Sequence, residues 1–85
     1  MGRGTRLQPK KLGKKLRGIR RRLGFSQQEM ADRLKRRVPG ASIHPGHISQ
    51  YETGKREPSL LILLAYGKMA LVSTDLLIDD KYDLP

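Results

Sequence analysis

The sequence predicts an all-α fold, a compact bundle of five helices in one small domain. Apolar residues recur at spacings of three and four residues along several segments, as they do on the buried face of an α-helix. Serine or proline, which are typical of helix starts, stands at the beginning of most of these segments, and glycine follows two of them. A length of 85 residues with 36% hydrophobic content allows one domain with a modest core. We divide the chain into a flexible basic arm (1–8), a helical domain (9–78) and an acidic tail (79–85).

The arm contains glycine and arginine without an apolar period. One interpretation is that Arg3 and Arg6 bind DNA, along a phosphate backbone or in a minor groove. The alternative is that they only keep the chain soluble. The first helix is predicted from Pro9 to Leu23, with Gly24 as its stop. Its apolar stripe consists of Leu12, Leu16, Ile19 and Leu23.

The second helix is predicted from Ser26 to Leu34. Ser26 is a suitable N-cap, and Glu29 completes a capping box because it lies three residues further on. Apolar residues at helical spacing then form one face: Met30, Ala31 and Leu34.

An extended turn, residues 35–43, connects the second and third helices. Pro39-Gly40 predicts a turn, and Val38 and Ile43 are the apolar residues expected to pack it onto the core. The turn begins with three cations, Lys35, Arg36 and Arg37. These either contact phosphates or only favour the end of the second helix.

The third helix is predicted from Pro45 to Thr53, with Gly54 just past its end. One side carries Ile48, Tyr51 and Glu52 and is expected to face the core. The opposite side carries Gly46, Gln50 and Thr53 and is small and polar. A slim polar face of this kind can enter the major groove of DNA.

The fourth helix is predicted from Ser59 to Met69. It is apolar nearly all round, which predicts burial of Leu60, Leu61, Leu63, Leu64 and Ala65. A short fifth helix follows, with Ser73 as its cap and Leu76, Leu77 and Ile78 as its apolar residues. In the acidic tail, Tyr82 and Leu84 are expected to pack on the domain or on a partner chain.

Charge divides the chain into two unequal parts. Residues 1–37 hold 14 of the 18 lysines and arginines and two acidic residues, a net charge of +12, while residues 38–85 carry −2. This distribution favours binding to a polyanion, and nucleic acid is the first expectation; the alternative is a basic face that is only solvated. No cysteine is present and no apolar run reaches the length of a membrane span, so we expect a cytoplasmic, nucleoid-associated protein without membrane contact.

Several spaced motifs, in the same order, resemble the Xre/Cro–CI family of helix-turn-helix regulators. The resemblance runs from about Leu12 to Ile78 and is carried by Leu16, Ile19–Arg20, Leu23–Ala31 and Ile48–Pro58. It implies a lambda-repressor-like bundle, although the turn at 35–43 is several residues longer than this family usually has. It also implies a sequence-specific, double-stranded DNA-binding regulator of transcription, most simply a repressor, and a structural ion pair between Arg20 and Glu52.

On this reading the third helix contacts bases and the surrounding residues contact phosphates. The expected base contacts are His44, Gly46, His47, Ser49 and Gln50. Gln50 is suited to adenine because an amide can bond N6 and N7 together. The expected phosphate contacts are Ser26, Gln27, Arg36, Arg37, Thr53, Lys55 and Arg56. We also expect a homodimer through helices 4 and 5 and the tail.

Other functions are less consistent with these residues. His44 and His47 are three apart, but two imidazoles without a nearby Cys, Asp or Glu are too few for zinc, so we expect neither metal nor cofactor. The sequence shows no paired carboxylates, phosphate-binding glycine loop or triad, which argues against an enzyme. One Phe and three Tyr are too few for an RNA-stacking platform. The remaining alternative is an antitoxin that binds a protein toxin, or another regulator, as well as DNA.

Overall fold

The computed structural model describes residues 9–85, which form five α-helices and no β-strand. The helices are α1 (Leu12–Leu23), α2 (Gln27–Arg37), α3 (Pro45–Glu52), α4 (Leu60–Ala70) and α5 (Thr74–Ile78). The predicted all-α, five-helix architecture is therefore confirmed. The predicted arm, with Arg3 and Arg6, lies outside the described residues. Within residues 9–85, every helix is too short or too polar to cross a membrane.

Helix α1 begins at Leu12, three residues later than predicted. Its N-cap, Lys11, provides no side-chain cap. The backbone N–H groups of Lys10 and Lys11 instead donate to the carboxylate of Asp80, at 2.9 and 3.0 Å. Gly24 ends the helix in the left-handed conformation, at φ +77°, which favours glycine.

Helix α2 has the predicted capping box. The Ser26 hydroxyl accepts from the Glu29 N–H at 3.0 Å, and the Glu29 carboxylate accepts from the Ser26 N–H at 2.8 Å. The helix continues to Arg37, past the predicted end at Leu34, so Lys35, Arg36 and Arg37 form its basic last turn. This placement lets their charges interact favourably with the helix dipole.

The connection between α2 and α3 therefore comprises residues 38–44 and is shorter than predicted. The N–H of Ala41 donates to the Val38 carbonyl at 3.0 Å, which closes a turn around Pro39 and Gly40. Ile43 is buried and Val38 is partly buried against the core, as predicted.

Helix α3 packs against both α1 and α2. The contact with α1 is close at Gly13, where an added Cβ would lie 2.6 Å from the Glu52 carbonyl oxygen. The core below these helices is apolar and includes the fully buried side chains Leu16, Ile19, Met30, Leu34, Ile48, Tyr66 and Leu77. A rigid platform therefore supports α3 from two sides.

Helix α4 is buried on one side only, so the prediction of burial all round is wrong for Leu60, Leu61 and Leu64. These side chains are 78%, 62% and 42% exposed. Ile62, Leu63 and Tyr66 supply the buried side, because the neighbouring helices α1, α2 and α5 cover only part of the α4 surface. The helix ends at Ala70, and Leu71, its C-cap, is 91% exposed and has a left-handed φ of 58°.

Helix α5 and the tail lie against α1. Ser73 occupies the N-cap position of α5, as predicted, but its side chain makes no capping hydrogen bond. The buried Lys15 ammonium donates to the carbonyl oxygens of Leu76 and Asp79. Further along, Lys11 pairs with Asp83 at 3.3 Å and Arg22 donates to the Pro85 carbonyl at 2.8 Å. Leu84 is partly buried against the core, whereas Tyr82 is exposed.

Candidate nucleic-acid interface

Helix α3 presents the two sides that its sequence predicts. Ile48 and Tyr51 are buried, and the Glu52 side chain is 4% exposed. On the outer side, Gly46 is exposed, whereas Gln50 is half-buried. Burial raises the pKa of Tyr51, so its hydroxyl stays neutral over the usual pH range. The outer side is small and polar, which allows close approach to a groove.

Arg20 and Glu52 form the predicted ion pair, and it is largely buried. Arg20 Nε donates to Glu52 Oε2 at 2.6 Å, and Nη2 donates to Oε1 at 3.0 Å. The third donor, Nη1, binds the Phe25 carbonyl at 2.9 Å. The hydrogen bond to Glu52 raises the pKa of Arg20 further above its usual value. This bidentate pair joins α1, the turn before α2, and α3.

Gln27 lies next to this pair rather than pointing freely into solvent. Its Nε2 is 3.5 Å from Glu52 Oε1. Gln27 and Ser49, two predicted contact residues, line a shallow depression of about 180 Å³ between α1, α2 and α3. Arg17 lines the same depression, and sequence analysis did not single it out. Arg17 precedes Arg20 by three residues and so lies on the same side of α1, and this spacing could have indicated that Arg17 belongs to the site.

The N-terminus of α2 faces this region with donors of its own. The Ser26 hydroxyl oxygen accepts from Glu29, which leaves its proton available. The backbone N–H groups of Gln27 and Gln28 belong to the first helical turn and have no acceptor within residues 9–85. Such groups favour an anion at this helix end.

The N-terminal end of α3 is organised by its two histidines. The His44 backbone N–H donates to His47 Nδ1 at 3.2 Å, and the two rings are 5.1 Å apart. Because Nδ1 accepts this bond, a neutral His47 carries its proton on Nε2. Nε2 is then the nitrogen available as a donor. Among the described residues, no group of three or more His, Cys, Asp or Glu is arranged to hold a metal ion.

The C-terminal end of α3 differs from the prediction. The Thr53 hydroxyl and backbone N–H both donate to the Ser49 carbonyl at 3.0 Å. The backbone N–H groups of Lys55 and Arg56 donate to the Gln50 carbonyl at 2.9 and 3.2 Å. These donors end the helix, so Thr53, a predicted phosphate contact, has no donor left for a phosphate, and Lys55 and Arg56 have only their side-chain cations to offer.

Arg56 also binds the side chain that was expected to read bases. Its Nε donates to Gln50 Oε1 at 2.8 Å. The structure therefore joins a predicted phosphate contact to a predicted base contact.

Arg36 and Arg37 lie apart from the other predicted contacts. They line a depression of about 370 Å³ with Leu23, Phe25 and Met69, on the side of α2 that faces α1 and α4. Arg37 also borders a second depression with Leu61, Leu64 and Lys68 of α4. The expectation that they continue the phosphate-contacting surface of Gln27 and Lys55 is not supported by this placement. The reason is that α2 continues through Arg37 and carries both side chains to its far end.

Comparison with known proteins gives a family match and a structural match. The helix-turn-helix family profile matches residues 16–77. The chain is also similar to the P22 c2 repressor protein, whose crystal structure contains synthetic operator 9T and was obtained in the presence of Tl⁺. That match has 26% sequence identity and a TM-score of 0.67, and it covers 89% of this chain and 98% of that one. No curated protein matches the sequence.

Proposed function

The chain belongs to the Xre/Cro–CI-type helix-turn-helix family, and we propose that it regulates transcription as a sequence-specific repressor that binds double-stranded DNA. One observation carries this proposal: a small polar helix face, that of α3, is held outward by a nearly buried ion pair on its inner side. The P22 c2 repressor, of similar fold, is bound to an operator in its crystal structure. We place α3 in the major groove.

The proposed base contacts are those of the outer side of α3 and its N-terminus. His47 donates through Nε2, Ser49 through its hydroxyl, and Gln50 through its amide, while Gly46 lets the backbone approach closely. His44, exposed beside His47, is the fifth member of this set.

The proposed phosphate contacts flank α3 on two sides. Ser26, Gln27 and Arg17 hold one strand at the α2 N-terminus, and Lys55 holds a phosphate beyond the end of α3. We omit Arg36 and Arg37 because they lie on the α4 side, and Thr53 because both its donors are already used. If about six phosphates are contacted in all, the log–log slope of affinity against salt is near −5.

Selection of bound duplexes from a random library at a fixed salt concentration tests this proposal. Gln50→Ala is expected to change the preferred sequence, because a base contact is lost. Lys55→Ala is expected to weaken all duplexes alike and to reduce the salt slope by about 1. Equal weakening of every duplex by both variants would show that the reading face is assigned wrongly.

The proposed active form is a two-fold dimer with its α3 helices about 34 Å apart, one turn of DNA. Apolar side chains at the end of α4 and at the end of α5 remain exposed, including Leu71 and Ile78 at 91% and 42%. Sedimentation measures the oligomeric state of the wild type and of the double variant Leu71→Ser/Ile78→Ser. We expect the double variant to be monomeric and to lose preference for two-fold sites, and a variant that still dimerises would exclude this surface.

A protein partner is the second candidate, in the manner of an antitoxin. Three exposed leucines of α4, Leu60, Leu61 and Leu64, favour it because exposed apolar side chains on one helix are suited to a protein contact. Co-purification from the native source, followed by mass spectrometry, distinguishes a repressor that acts alone from an antitoxin that binds a protein partner. A stoichiometric toxin that is lost with Leu61→Ser would favour this role.

A further inference from the structure

We infer that Arg56 and Gln50 act as one base-reading unit that selects guanine, an inference that rests on the proposed function. Gln50 lies on the outer side of α3, and Arg56 lies in the segment that leaves this helix. The two side chains meet at 2.8 Å, with Arg56 Nε as donor and Gln50 Oε1 as acceptor. Arg56 is therefore a positioning residue for Gln50 in addition to carrying a charge.

The backbone holds this pair together. The Arg56 N–H donates to the Gln50 carbonyl at 3.2 Å, so both its backbone and its side chain are attached to the same residue. Lys55 is the natural comparison because its N–H donates to the same carbonyl at 2.9 Å. Its side chain makes no hydrogen bond within the described part of the chain. Of these two adjacent cations, Arg56 is the one whose side chain contacts the Gln50 amide.

This contact changes what Gln50 presents to a base. A free glutamine amide offers one acceptor and one donor, which suits N6 and N7 of adenine. When Oε1 accepts from Arg56, the amide orientation is set, because the opposite orientation would place NH₂ against an N–H donor. The side of the pair that remains open then consists mainly of donors, namely Gln50 Nε2 and the Nη groups of Arg56.

Guanine has the matching edge in the major groove. It presents two acceptors, N7 and O6, whereas adenine presents one acceptor and the N6 amino donor. A donor-rich pair therefore bonds guanine through both acceptors and meets an unpaired donor on adenine. The expected base at this position is guanine, in place of the adenine that Gln50 alone would favour.

Library selection at one salt concentration, with wild type, Arg56→Ala, Gln50→Ala and Lys55→Ala, tests this inference. We expect wild type to prefer guanine over adenine by about tenfold at one position of the half-site. Arg56→Ala is expected to lose this preference and to favour adenine, because the Gln50 amide is released. Gln50→Ala removes the amide that would bind adenine, so this variant should show no preference for adenine at the same position. Lys55→Ala should keep the preference for guanine and bind every duplex more weakly.

Arg56→Lys separates orientation from charge. Lysine keeps the positive charge and so should keep the salt dependence, but it lacks the planar fork that binds an amide and a base together. We expect wild-type salt dependence with a reduced guanine preference. Thermal melting checks that each variant is folded.

The possible failures are distinguishable. If Arg56→Ala retains guanine and only binds more weakly, like Lys55→Ala, the inference is wrong while the proposed function stands. A wild-type preference for adenine at this position would also overturn it. If wild type enriches no duplex sequence at all, the proposed function itself fails.

Discussion

At the scale of single residues, the buried charge of the Glu52 carboxylate is compensated mainly by one partner, Arg20. The Glu52 side chain is 4% exposed, and Arg20, 13% exposed, makes two hydrogen bonds to it. Removing one member of such a pair leaves a buried charge uncompensated, which typically costs about 3–5 kcal/mol. We expect Arg20→Met to lower the free energy of unfolding in urea by about 3 kcal/mol or more. Arg17→Met, a matched change at an exposed arginine of the same helix, should stay within about 0.5 kcal/mol; similar losses for both would remove the special role of the pair.

Tyr66 poses the opposite case, that of a hydroxyl buried in the core. The residue is 0% exposed and its hydroxyl makes no hydrogen bond within residues 9–85. Tyr66→Phe is therefore expected to raise the free energy of unfolding at neutral pH by about 1 kcal/mol. A clear loss of stability would instead indicate that the hydroxyl has a partner.

The ionisation of Tyr66 should make the free energy of unfolding depend on pH. Burial raises the pKa of Tyr66 strongly above its ordinary value of 10.0. Above about pH 10 only the unfolded state readily loses this proton, so stability should fall as pH rises through that region. Urea unfolding between pH 8 and about 11 should show a shallower fall for Tyr66→Phe. Tyr51, whose pKa burial also raises, accounts for a remaining slope.

At the scale of elements, two glycines of α1 should respond in opposite directions to the same substitution. A Cβ added at Gly18 would have nothing within 4 Å, whereas one added at Gly13 would lie 2.6 Å from the Glu52 carbonyl oxygen. Gly18→Ala should raise the free energy of unfolding by about 1 kcal/mol, because alanine favours the helix. Gly13→Ala should lower it by about 1–2 kcal/mol, because α1 and α3 must separate. Thermal melting measures both, and equal effects would exclude a close contact at Gly13.

At the scale of the whole molecule, the C-terminal tail completes the first helix. Asp80 accepts from the backbone N–H groups of Lys11 and Lys10, 70 residues away from the latter, and these bonds lower its pKa. A carboxylate whose pKa is lowered by folding stabilises the folded state at any pH above the ordinary pKa of the carboxylate. This contribution is lost as the pH falls through the lower pKa of the folded state.

Asp80→Ala is therefore expected to lower the melting temperature at pH 7 and to expose the first amides of α1 to hydrogen exchange. The difference from wild type should shrink as the pH falls below 3.8, the ordinary pKa of an aspartate, because the carboxylate is then progressively protonated. Asp83→Ala is the control, because its exposed pair with Lys11 should contribute little. If Asp83→Ala matched Asp80→Ala in melting temperature, general charge attraction would explain the tail better than a helix cap.

Features that depend on neighbouring residues could be predicted from the chain alone. The capping box of Ser26 and Glu29, the apolar stripe of α1 and the two sides of α3 arise from spacings of three and four residues, so local periodicity predicted them. The five-helix architecture and the family were likewise predictable, because several local motifs occur in order.

The way in which distant segments meet was visible only in the folded molecule. The capping of α1 by Asp80, the contact of Gly13 with α3 and the exposed side of α4 depend on where separate helices lie, and no local pattern specifies that. The attachment of Arg56 to Gln50 required the chain to fold back after α3. A side chain's type predicts which bonds it can make, but the approach of the surrounding elements decides which of them it does make.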